Sequence, residues 1–270
     1  MKCEICPHHC DLQEGKRGLC HAQTVTDGRQ ISLNYGMVTS LALDPIEKKP
    51  LYHFHPGSRI LSLGSWGCNL NCPWCQNDGI SRGEAKALYL SPEEIVQRAI
   101  ALQPEGNIGI AFTYNEPMIC PDYLEDTAKL AKENGLATVL VTNGMVTEKA
   151  HAQFLPYIDA YNIDLKTSSA ASYRSIGGDL RAILDTIRRA NALAHVEVTT
   201  LIVPGFNDQE EEIRTIAQMI AAIDPQVVLH VTRFFPAGRM KQVPPTNVQL
   251  VYRFAQIAGE YLPNVYTGNC

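Results

Sequence analysis

Short β-rich runs alternate with amphipathic stretches from residue 59 to the end of the chain. The runs predict strands at Ile60–Gly64, Ile108–Tyr114, Thr138–Thr142, Ala160–Leu165, His195–Val203 and Val227–Phe235, with a short terminal strand in Asn264–Gly268. Alternation of this kind is typical of right-handed βαβ units and a parallel sheet. Six strands are too few to close an eight-stranded barrel, so the pattern predicts an α/β fold with an open or partial barrel.

The amphipathic stretches predict the intervening helices. Ser91 precedes one helix as its N-cap, and Glu94 completes a capping box for Ser91–Leu102. In Gln209–Ile223 the apolar residues recur at i, i+3, i+4 and i+7, which is the spacing of one helical face. A last helix is predicted around Val251 and Phe254.

The first 57 residues do not follow this alternation. Ile31–Tyr35 and Met37–Ala42 are alternating or β-rich, and they predict a hairpin or small sheet lying against the main domain. We therefore expect two units. Residues 1–57 form a small Cys-rich N-terminal extension with a β element and a possible second metal site, and residues 58–270 form the partial barrel.

Charge and hydropathy narrow the class of protein. A hydrophobic content of 45% is ample for a packed core. The net charge of −5 and the absence of any block of like charges argue against a nucleic-acid or anionic-membrane partner. The N-terminus lacks an apolar signal core, and no run approaches the roughly 18 apolar residues that span a bilayer. We expect a cytoplasmic protein.

The nine cysteines fall mainly into two groups, which in a reducing compartment indicates metal binding rather than disulfides. The first group is Cys3, Cys6, Cys10 and Cys20, with histidines interleaved. Four thiolates can close a tetrahedral zinc site or hold an auxiliary iron–sulfur centre, and either would fasten a segment too short for its own core. A segment without metal is the third alternative.

The second group is Cys68, Cys72 and Cys75, on a short loop after the first predicted barrel strand. Three thiolates at these spacings can converge on one metal centre but cannot fill a fourth position. Cysteine thiolates favour zinc or iron–sulfur clusters, and an open coordination position is where a metal site does chemistry. The sequence therefore predicts a reactive metal centre at this loop.

Polar residues follow the other predicted strands, and the carboxyl ends of parallel barrel strands share one rim. The candidates for a site above the thiolates are Asn115, Glu116, Thr142, Asn143, Asp164, Lys166, Thr199 and His230. Alternation along the fifth strand places Glu197, Thr199 and Leu201 on one face, which should line the cavity. By the same parity, His230 and Thr232 share a face.

Several of these residues also have a purely structural interpretation. Glu116 before a proline is a candidate helix cap, and Thr142–Gly144 fits ordinary turn chemistry. Asp164 and Lys166 at i, i+2 could form a structural ion pair. A single His230 is compatible with a satisfied core histidine.

The motif Cys68-x3-Cys72-x2-Cys75, with the aromatic Trp74 before the last cysteine, resembles the signature of radical S-adenosylmethionine (SAM) enzymes. The resemblance implies a partial (β/α)6 barrel, a [4Fe–4S] cluster on the three cysteines, and SAM chelating the fourth iron through its amino and carboxylate groups. Asn115-Glu116-Pro117 stands where that family has a Gly-Gly-Glu-Pro motif that binds the SAM amino group. Here Tyr114-Asn115 replaces the two glycines.

Two narrower likenesses follow. Thr142-Asn143-Gly144, Asp164-Leu165-Lys166 and Val203-Pro204-Gly205 resemble the pyruvate formate-lyase activating enzyme, which differs in having Asp and Arg where this chain has Val141 and Thr199. The N-terminal cysteines, Asp44–Leu51 and Arg233-Phe234-Phe235-Pro236 resemble the radical SAM component of the AmmeMemoRadiSam system. That likeness spans nearly the whole chain.

The resemblance implies reductive, anaerobic chemistry in which SAM cleavage yields a 5′-deoxyadenosyl radical that abstracts a hydrogen atom. Under this hypothesis Trp74 packs on adenine, Asn143 meets the ribose, Glu116 meets the ammonium, and His230 lies on the substrate side. The expected partners are SAM, an electron donor such as ferredoxin or flavodoxin, and either a protein substrate for a glycyl-radical activase or a small molecule.

Two interpretations from other classes stay open. An iron–sulfur protein for electron transfer or redox sensing would ligate its second cluster fully, with Cys120 as a candidate, and would not bind SAM. A zinc-stabilised interaction module would leave the polar residues at the strand ends without a role.

Overall fold

The computed structural model describes all 270 residues of the chain. Its strands are β1 (Gln23–Thr26), β2 (Arg29–Ser32), β3 (Met37–Val38), β4 (Ser40–Pro45), β5 (Arg59–Gly64), β6 (Leu88–Tyr89), β7 (Asn107–Thr113), β8 (Ala137–Thr142), β9 (Ala160–Asp164), β10 (His195–Ile202), β11 (Val228–Arg233) and β12 (Val265–Gly268). Its α-helices are α1 (Asp78–Ser81), α2 (Pro92–Ala101), α3 (Pro121–Glu133), α4 (Glu148–Phe154), α5 (Ala170–Ser175), α6 (Leu180–Asn191), α7 (Glu210–Ala221) and α8 (Val248–Ala258).

Eight strands form the main sheet, in the order β12-β11-β10-β9-β8-β7-β5-β4. All neighbouring pairs are parallel except β4 and β5, which are antiparallel. The carboxyl ends of β5 and β7 to β12 therefore lie along one edge. The predicted α/β fold with a largely parallel sheet is confirmed, and each predicted barrel strand is present to within a few residues.

The predicted helix starts and apolar faces also agree with the structure. The Ser91 hydroxyl accepts the backbone N–H of Glu94 at 3.3 Å, and the Glu94 carboxylate accepts that of Ser91 at 2.8 Å. In α7 the periodic residues Ile213, Ile216 and Ile220 are fully buried. No helix of the chain combines the length and apolarity needed to cross a membrane.

The second β-rich run of the N-terminal segment differs from its prediction. β2 overlaps the first predicted run but pairs in an antiparallel hairpin with β1, which was not predicted, and Met37–Ala42 neither pairs with β2 nor completes a separate small sheet. Met37 and Val38 pair with β6, whereas Ser40–Pro45 pairs along β5 as an edge strand of the main sheet. An edge strand needs only one partner, so its sequence pattern does not reveal which sheet it joins. This pairing ties residues before position 58 directly to the barrel.

A segment that runs from Ile46 to Gly57 closes the amino ends of the strands. Ile46 and Leu51 are fully buried and pack in one cluster with side chains of four strands, namely Ile60, Ala111, Val139 and Ala160. The Asn162 side chain donates to the carbonyl of Pro50 at 2.8 Å. We call this segment, residues 46–57, the plug. It fixes the floor beneath the carboxyl-end rim.

Candidate active site

A cavity of about 690 Å³ lies at the carboxyl-end rim. It is lined by every site residue predicted for the catalytic centre: Cys68, Cys72, Cys75, Trp74, Asn115, Glu116, Thr142, Asn143, Asp164, Lys166, Thr199 and His230. Tyr52, Lys48 and Lys49, from the plug, also line it. The fold therefore brings the second cysteine group and the polar strand ends to one space, and Cys3, Cys6, Cys10 and Cys20 lie outside it.

The turn before Cys68 depends on a glycine. Gly67 has φ +91°, and a Cβ there would lie 2.6 Å from the carbonyl oxygen of Cys20. Asn115 braces this turn from the end of β7, because its side chain accepts the N–H of Ser65 at 2.9 Å and donates to the Gly67 carbonyl at 3.2 Å. The Asn115 amide is thus engaged in holding the cysteine loop.

Two of the three sulfurs already make hydrogen bonds. Cys68 Sγ accepts the N–H of Leu70 at 3.4 Å and the side-chain amide of Asn143 at 3.6 Å, and the Cys75 thiol donates to the Ser81 hydroxyl at 3.5 Å. Burial raises the pKa of the Cys68 and Cys72 thiols, so without a cation they stay protonated. A bound metal supplies the positive charge that converts them to thiolates.

A loop after β11 packs against the loop that carries Cys68, Cys72 and Cys75. The N–H of Arg239 donates to the carbonyl of Pro73 at 2.7 Å, and its guanidinium donates to the Asn71 carbonyl at 2.9 Å. Gly238 has φ +56°, and a Cβ there would lie 2.7 Å from the Pro73 oxygen and 2.9 Å from the Cys75 oxygen. We call Gly238 and Arg239 the clamp. Sequence reasoning missed it, since the requirement for glycine arises only from this tertiary approach.

Glu116 joins the ends of β7 and β8. One carboxylate oxygen accepts the Thr142 hydroxyl at 2.7 Å and the N–H of Met118 at 2.9 Å, and the other accepts the N–H of Asn143 at 2.8 Å. The bond to Met118 is the cap of the short turn at 117–119, so the alternative structural role exists as well. Burial raises the pKa of Glu116 to about 7, although these three donors oppose the shift.

The Asn143 side chain lies between the cysteine loop and β8. Its amide donates to Oδ1 of Asn69 at 2.9 Å, and its own Oδ1 accepts the N–H of Met145 at 2.9 Å. With the contact to Cys68 Sγ, both ends of the side chain are oriented. The predicted turn chemistry and the predicted position at the cavity therefore coexist.

Asp164 and Lys166 form the predicted ion pair, with 2.7 Å between Oδ2 and Nζ. The Lys166 side chain is 16% exposed and that of Asp164 is 36% exposed. Burial lowers the pKa of Lys166, but the charge and hydrogen bond of Asp164, with a smaller contribution from Cys72, outweigh burial and leave it above its usual value. The pair places a fixed ammonium and a partly hydrated carboxylate on the cavity wall.

The predicted alternation of side chains between the two faces of β10 and β11 is confirmed for the residues nearest the rim. Thr199, Leu201, His230 and Thr232 line the cavity, whereas Glu197 faces inward one level lower and does not. Glu197 Oε2 lies 2.6 Å from His230 Nε2, and its oxygens also accept the backbone N–H groups of Tyr52 and His53 at 3.0 and 2.8 Å.

Burial raises the pKa of Glu197, but His195, His230 and the two backbone donors together lower it to about 2. The carboxylate is therefore ionised and fixes His230 through Nε2. Thr199 has a different partner, because its hydroxyl donates to Asn162 Oδ1 at 2.9 Å.

Two aromatic or polar contacts were not predicted. Trp74 packs against Phe206, with ring centroids 4.4 Å apart and planes at 55°. At the other wall, Tyr114 adopts φ +70°, and its hydroxyl donates to Asp44 at 2.8 Å, beside an Asp44–Lys49 ion pair of 2.9 Å. Their partners are distant in sequence and carry no local signal.

No three of the His, Cys, Asp or Glu side chains are placed around a single point as ligands of one metal ion. A four-iron cluster binds each thiolate through a different iron, so its ligands stand further apart than those of a single ion. The donor set of three thiols on one loop, with amide donors at Cys68, fits such a cluster.

Comparison of the sequence with known proteins gives three findings. A radical SAM superfamily model matches residues 65–220. An uncharacterized protein of Methanocaldococcus jannaschii is 38% identical over 275 residues, which cover 100% of this chain and 81% of that protein. The pyruvate formate-lyase-activating enzyme of Clostridium pasteurianum is 28% identical over 173 residues, which cover 62% of this chain and 71% of that enzyme.

A solved structure shows the same fold. The crystal structure of a domain of pyruvate-formate lyase-activating enzyme from Bacteroides vulgatus aligns with a TM-score of 0.52 at 20% identity, covering 60% of this chain and 99% of that domain. At this identity the likeness concerns the arrangement of strands and helices alone.

Proposed function

The chain belongs to the radical SAM superfamily, and from that premise we propose that it cleaves SAM reductively at a [4Fe–4S] cluster held by Cys68, Cys72 and Cys75. The observation that carries the proposal is the shared cavity, in which three thiols of one loop face the polar ends of the neighbouring strands. Catalytic sites of parallel barrels lie at this rim. When bound, the cluster supplies one electron that splits SAM into methionine and a 5′-deoxyadenosyl radical, which abstracts a hydrogen atom from the substrate.

The residues of the chain bind and orient the cluster and SAM, and they shield both from water. Asn143 and the N–H of Leu70 donate to Cys68, and hydrogen bonds to cluster sulfurs are one of the factors that set the reduction potential. Glu116 provides the carboxylate for the SAM ammonium. Trp74, buried against Phe206, provides an apolar surface for adenine and helps to exclude water.

We also assign roles to the remaining rim residues. Asp164, Lys166, Thr142 and Thr199 supply fixed charges and hydroxyls within reach of the polar part of SAM. Asn115 acts indirectly, because its amide holds the backbone at Gly67. His230 contributes on the substrate side, where Glu197 fixes its orientation. The electron is delivered by a ferredoxin or flavodoxin type of carrier.

For the substrate, a protein is the first candidate. It is favoured by the similarity to a pyruvate formate-lyase-activating enzyme over 62% of the chain. If the substrate is a protein, a glycine-bearing loop of that partner enters the cavity through the rim, and the glycine loses a hydrogen atom.

A small polar molecule is the second candidate. It is favoured by Lys49, Tyr52 and His230 in the lining, because they offer charge and hydrogen bonds near the plug. A cavity of about 690 Å³ is within the usual range for small-molecule sites.

Anaerobic reconstitution followed by reduction in the presence of SAM tests the catalytic proposal. We expect 5′-deoxyadenosine from the wild type and none from Cys72→Ala, which also loses iron. Cys270→Ala is the matched control, since Cys270 is exposed and lies outside the cavity lining, and it should behave as wild type. Reconstituted wild type that holds its cluster but forms no SAM cleavage product would refute the proposal and favour an electron-transfer protein.

A centre at Cys3, Cys6, Cys10 and Cys20 would be separate from this cavity, and the catalytic proposal does not depend on it.

A further inference from the structure

Residues 1–22 contain almost no regular secondary structure and have little core of their own. One cluster there joins Cys3 to Leu12 and Val25, and another joins Cys20 to Ala22, Trp66 and Ile119. All four cysteines of the segment are free, and three of them are buried. A segment with so few apolar contacts needs some other fastening to keep a single fold.

The four cysteines lie in one short segment, and the side chains of three of them are buried. The backbone brings Cys3 and Cys10 together through a 2.9 Å hydrogen bond from the N–H of Cys3 to the carbonyl of Cys10. As thiolates, Cys3 and Cys10 would repel each other, and both Cys6 and Cys20 would be repelled by Cys3. The neighbouring Glu4 adds negative charge.

Hydrogen-bond donors lie near two of the four sulfurs. The N–H of Leu19 lies 3.5 Å from Cys10 Sγ, and the Gln30 amide lies 3.5 Å from Cys3 Sγ. Donors of this kind stabilise a negative charge on a sulfur, as they do in thiolate-bound metal sites.

The turn after Cys20 carries backbone strain that serves this arrangement. His21 adopts φ +65°, a conformation that is unfavourable for a residue with a side chain. The N–H of His21 donates to the Gly18 carbonyl at 2.9 Å, which closes the turn that carries Cys20. Strain of this kind persists where the surrounding structure imposes it.

The group lies directly behind the catalytic cysteine loop. The Cys20 carbonyl leaves room only for glycine at Gly67. His8 Nε2 donates to the Asn69 carbonyl at 2.7 Å. Gly67 and Asn69 flank Cys68, so the two cysteine groups are fastened back to back.

We propose that Cys3, Cys6, Cys10 and Cys20 together bind one thiophilic metal centre, distinct from the catalytic cluster, that fastens the N-terminal segment behind the loop carrying Cys68. Four thiolates select zinc or iron. Because the sulfurs are not placed around a single point in the metal-free chain, they close on the metal as it binds.

The first test uses the full chain with Cys68→Ala, Cys72→Ala and Cys75→Ala together, which removes the catalytic cluster. After incubation without oxygen with zinc alone, or with iron and sulfide, we expect about one zinc ion or one iron centre per chain. The zinc and iron arms identify the metal. Adding Cys6→Ser and Cys20→Ser should abolish binding, whereas adding Cys120→Ala should not. A chain that takes up neither metal overturns the proposal, as does metal retained without Cys6 and Cys20.

A second measurement does not require the variants to fold. In the wild type, Cys10 is partly exposed and Cys270 is exposed, so both should react with an alkylating reagent if free. We expect metal-loaded protein to be alkylated at Cys270 but not at Cys10, and a strong chelator to release Cys10 to reaction. Equal alkylation of Cys10 with and without chelator would overturn the site. Neither test depends on SAM cleavage, so both stay informative if the catalytic proposal fails.

Discussion

The Thr142 hydroxyl donates a 2.7 Å hydrogen bond to the Glu116 carboxylate, which joins the ends of two neighbouring barrel strands inside the cavity. Glu116 is buried, and its pKa is raised from the usual 4.5 to about 7. Between pH 4.5 and pH 7, Glu116 therefore holds its proton more tightly in the folded chain than in the unfolded chain. Stability from this group is greatest below pH 4.5 and falls as the pH rises to 7.

Glu116→Gln should remove this pH dependence in the metal-free protein. Relative to the wild type, we expect the variant to gain about 3 kcal/mol in free energy of unfolding between pH 4.5 and 7. Urea unfolding of both proteins across that range provides the measurement. Glu133→Gln, at an exposed position, is the matched control and should follow the wild type. Parallel curves for wild type and Glu116→Gln would contradict the assigned ionisation.

Gly238→Ala should disturb the cysteine loop. The new methyl group would meet the Pro73 and Cys75 oxygens at under 3 Å, and the left-handed backbone adds strain. We expect reduced iron and sulfide content after reconstitution and a loss of stability above the roughly 1–2 kcal/mol that left-handed strain alone costs.

Gly135→Ala separates the effect of left-handed backbone strain from the effect of the steric collision. Gly135 has φ +69°, but a Cβ added there would have no other atom within 4 Å, so it shares the strain without the collision. The iron content of this variant should equal that of the wild type. If both variants lose iron equally, the clamp does not position the cluster loop.

Glu197→Gln should destabilise the protein at neutral pH by about 3 kcal/mol, because buried donors lose an ionised acceptor. The pKa of Glu197 is lowered from 4.5 to about 2, so its stabilising contribution is complete above pH 4.5 and is lost as the pH falls toward 2. The difference between wild type and variant should therefore shrink on acidification from about pH 5 to about pH 2.5. Unfolding curves that keep a constant difference would argue against an ionised Glu197.

The Asp164–Lys166 pair should behave as a coupled unit. Asp164→Asn leaves a buried ammonium without its partner and should cost about 3–5 kcal/mol, whereas Lys166→Met leaves a partly hydrated carboxylate and should cost about 1 kcal/mol. The double variant should then be more stable than the sum of the single changes predicts.

A double-mutant cycle in urea measures this coupling. The exposed pair Glu210–Arg253, 3.0 Å apart on the surface, is the control and should show a much smaller coupling. Similar coupling in both pairs would mean that burial does not strengthen the cavity pair.

The sequence was sufficient for the barrel strands and for the residues at their ends, since both depend on local patterns. Continuous apolar runs marked buried strands, and a fixed parity placed Thr199 and His230 on the cavity face. The alternation of side chains along a strand does not show how deep in the barrel a residue lies. For this reason Glu197 was expected to line the cavity, whereas it lies beneath it.

The plug and the clamp could not be predicted from the sequence because both depend on contacts between residues that are distant in the chain. Ile46 and Leu51 are isolated apolar residues in an irregular stretch, and only the folded chain shows that they fill the barrel floor. Gly238 is one loop glycine among 19 glycines until the backbone of the cysteine loop lies against it. Similarly, β4 pairs with the main sheet through one edge that its own sequence does not specify.

The plug also has a kinetic consequence. Because residues 46–57 close the amino ends of the strands, SAM and a substrate bound as proposed would share the rim as their route into the cavity. A protein substrate seated on that rim would cover SAM beneath it, so binding should be ordered, with SAM first and the partner second. Methionine and 5′-deoxyadenosine would then leave only after the partner has withdrawn, and turnover would be limited by that dissociation.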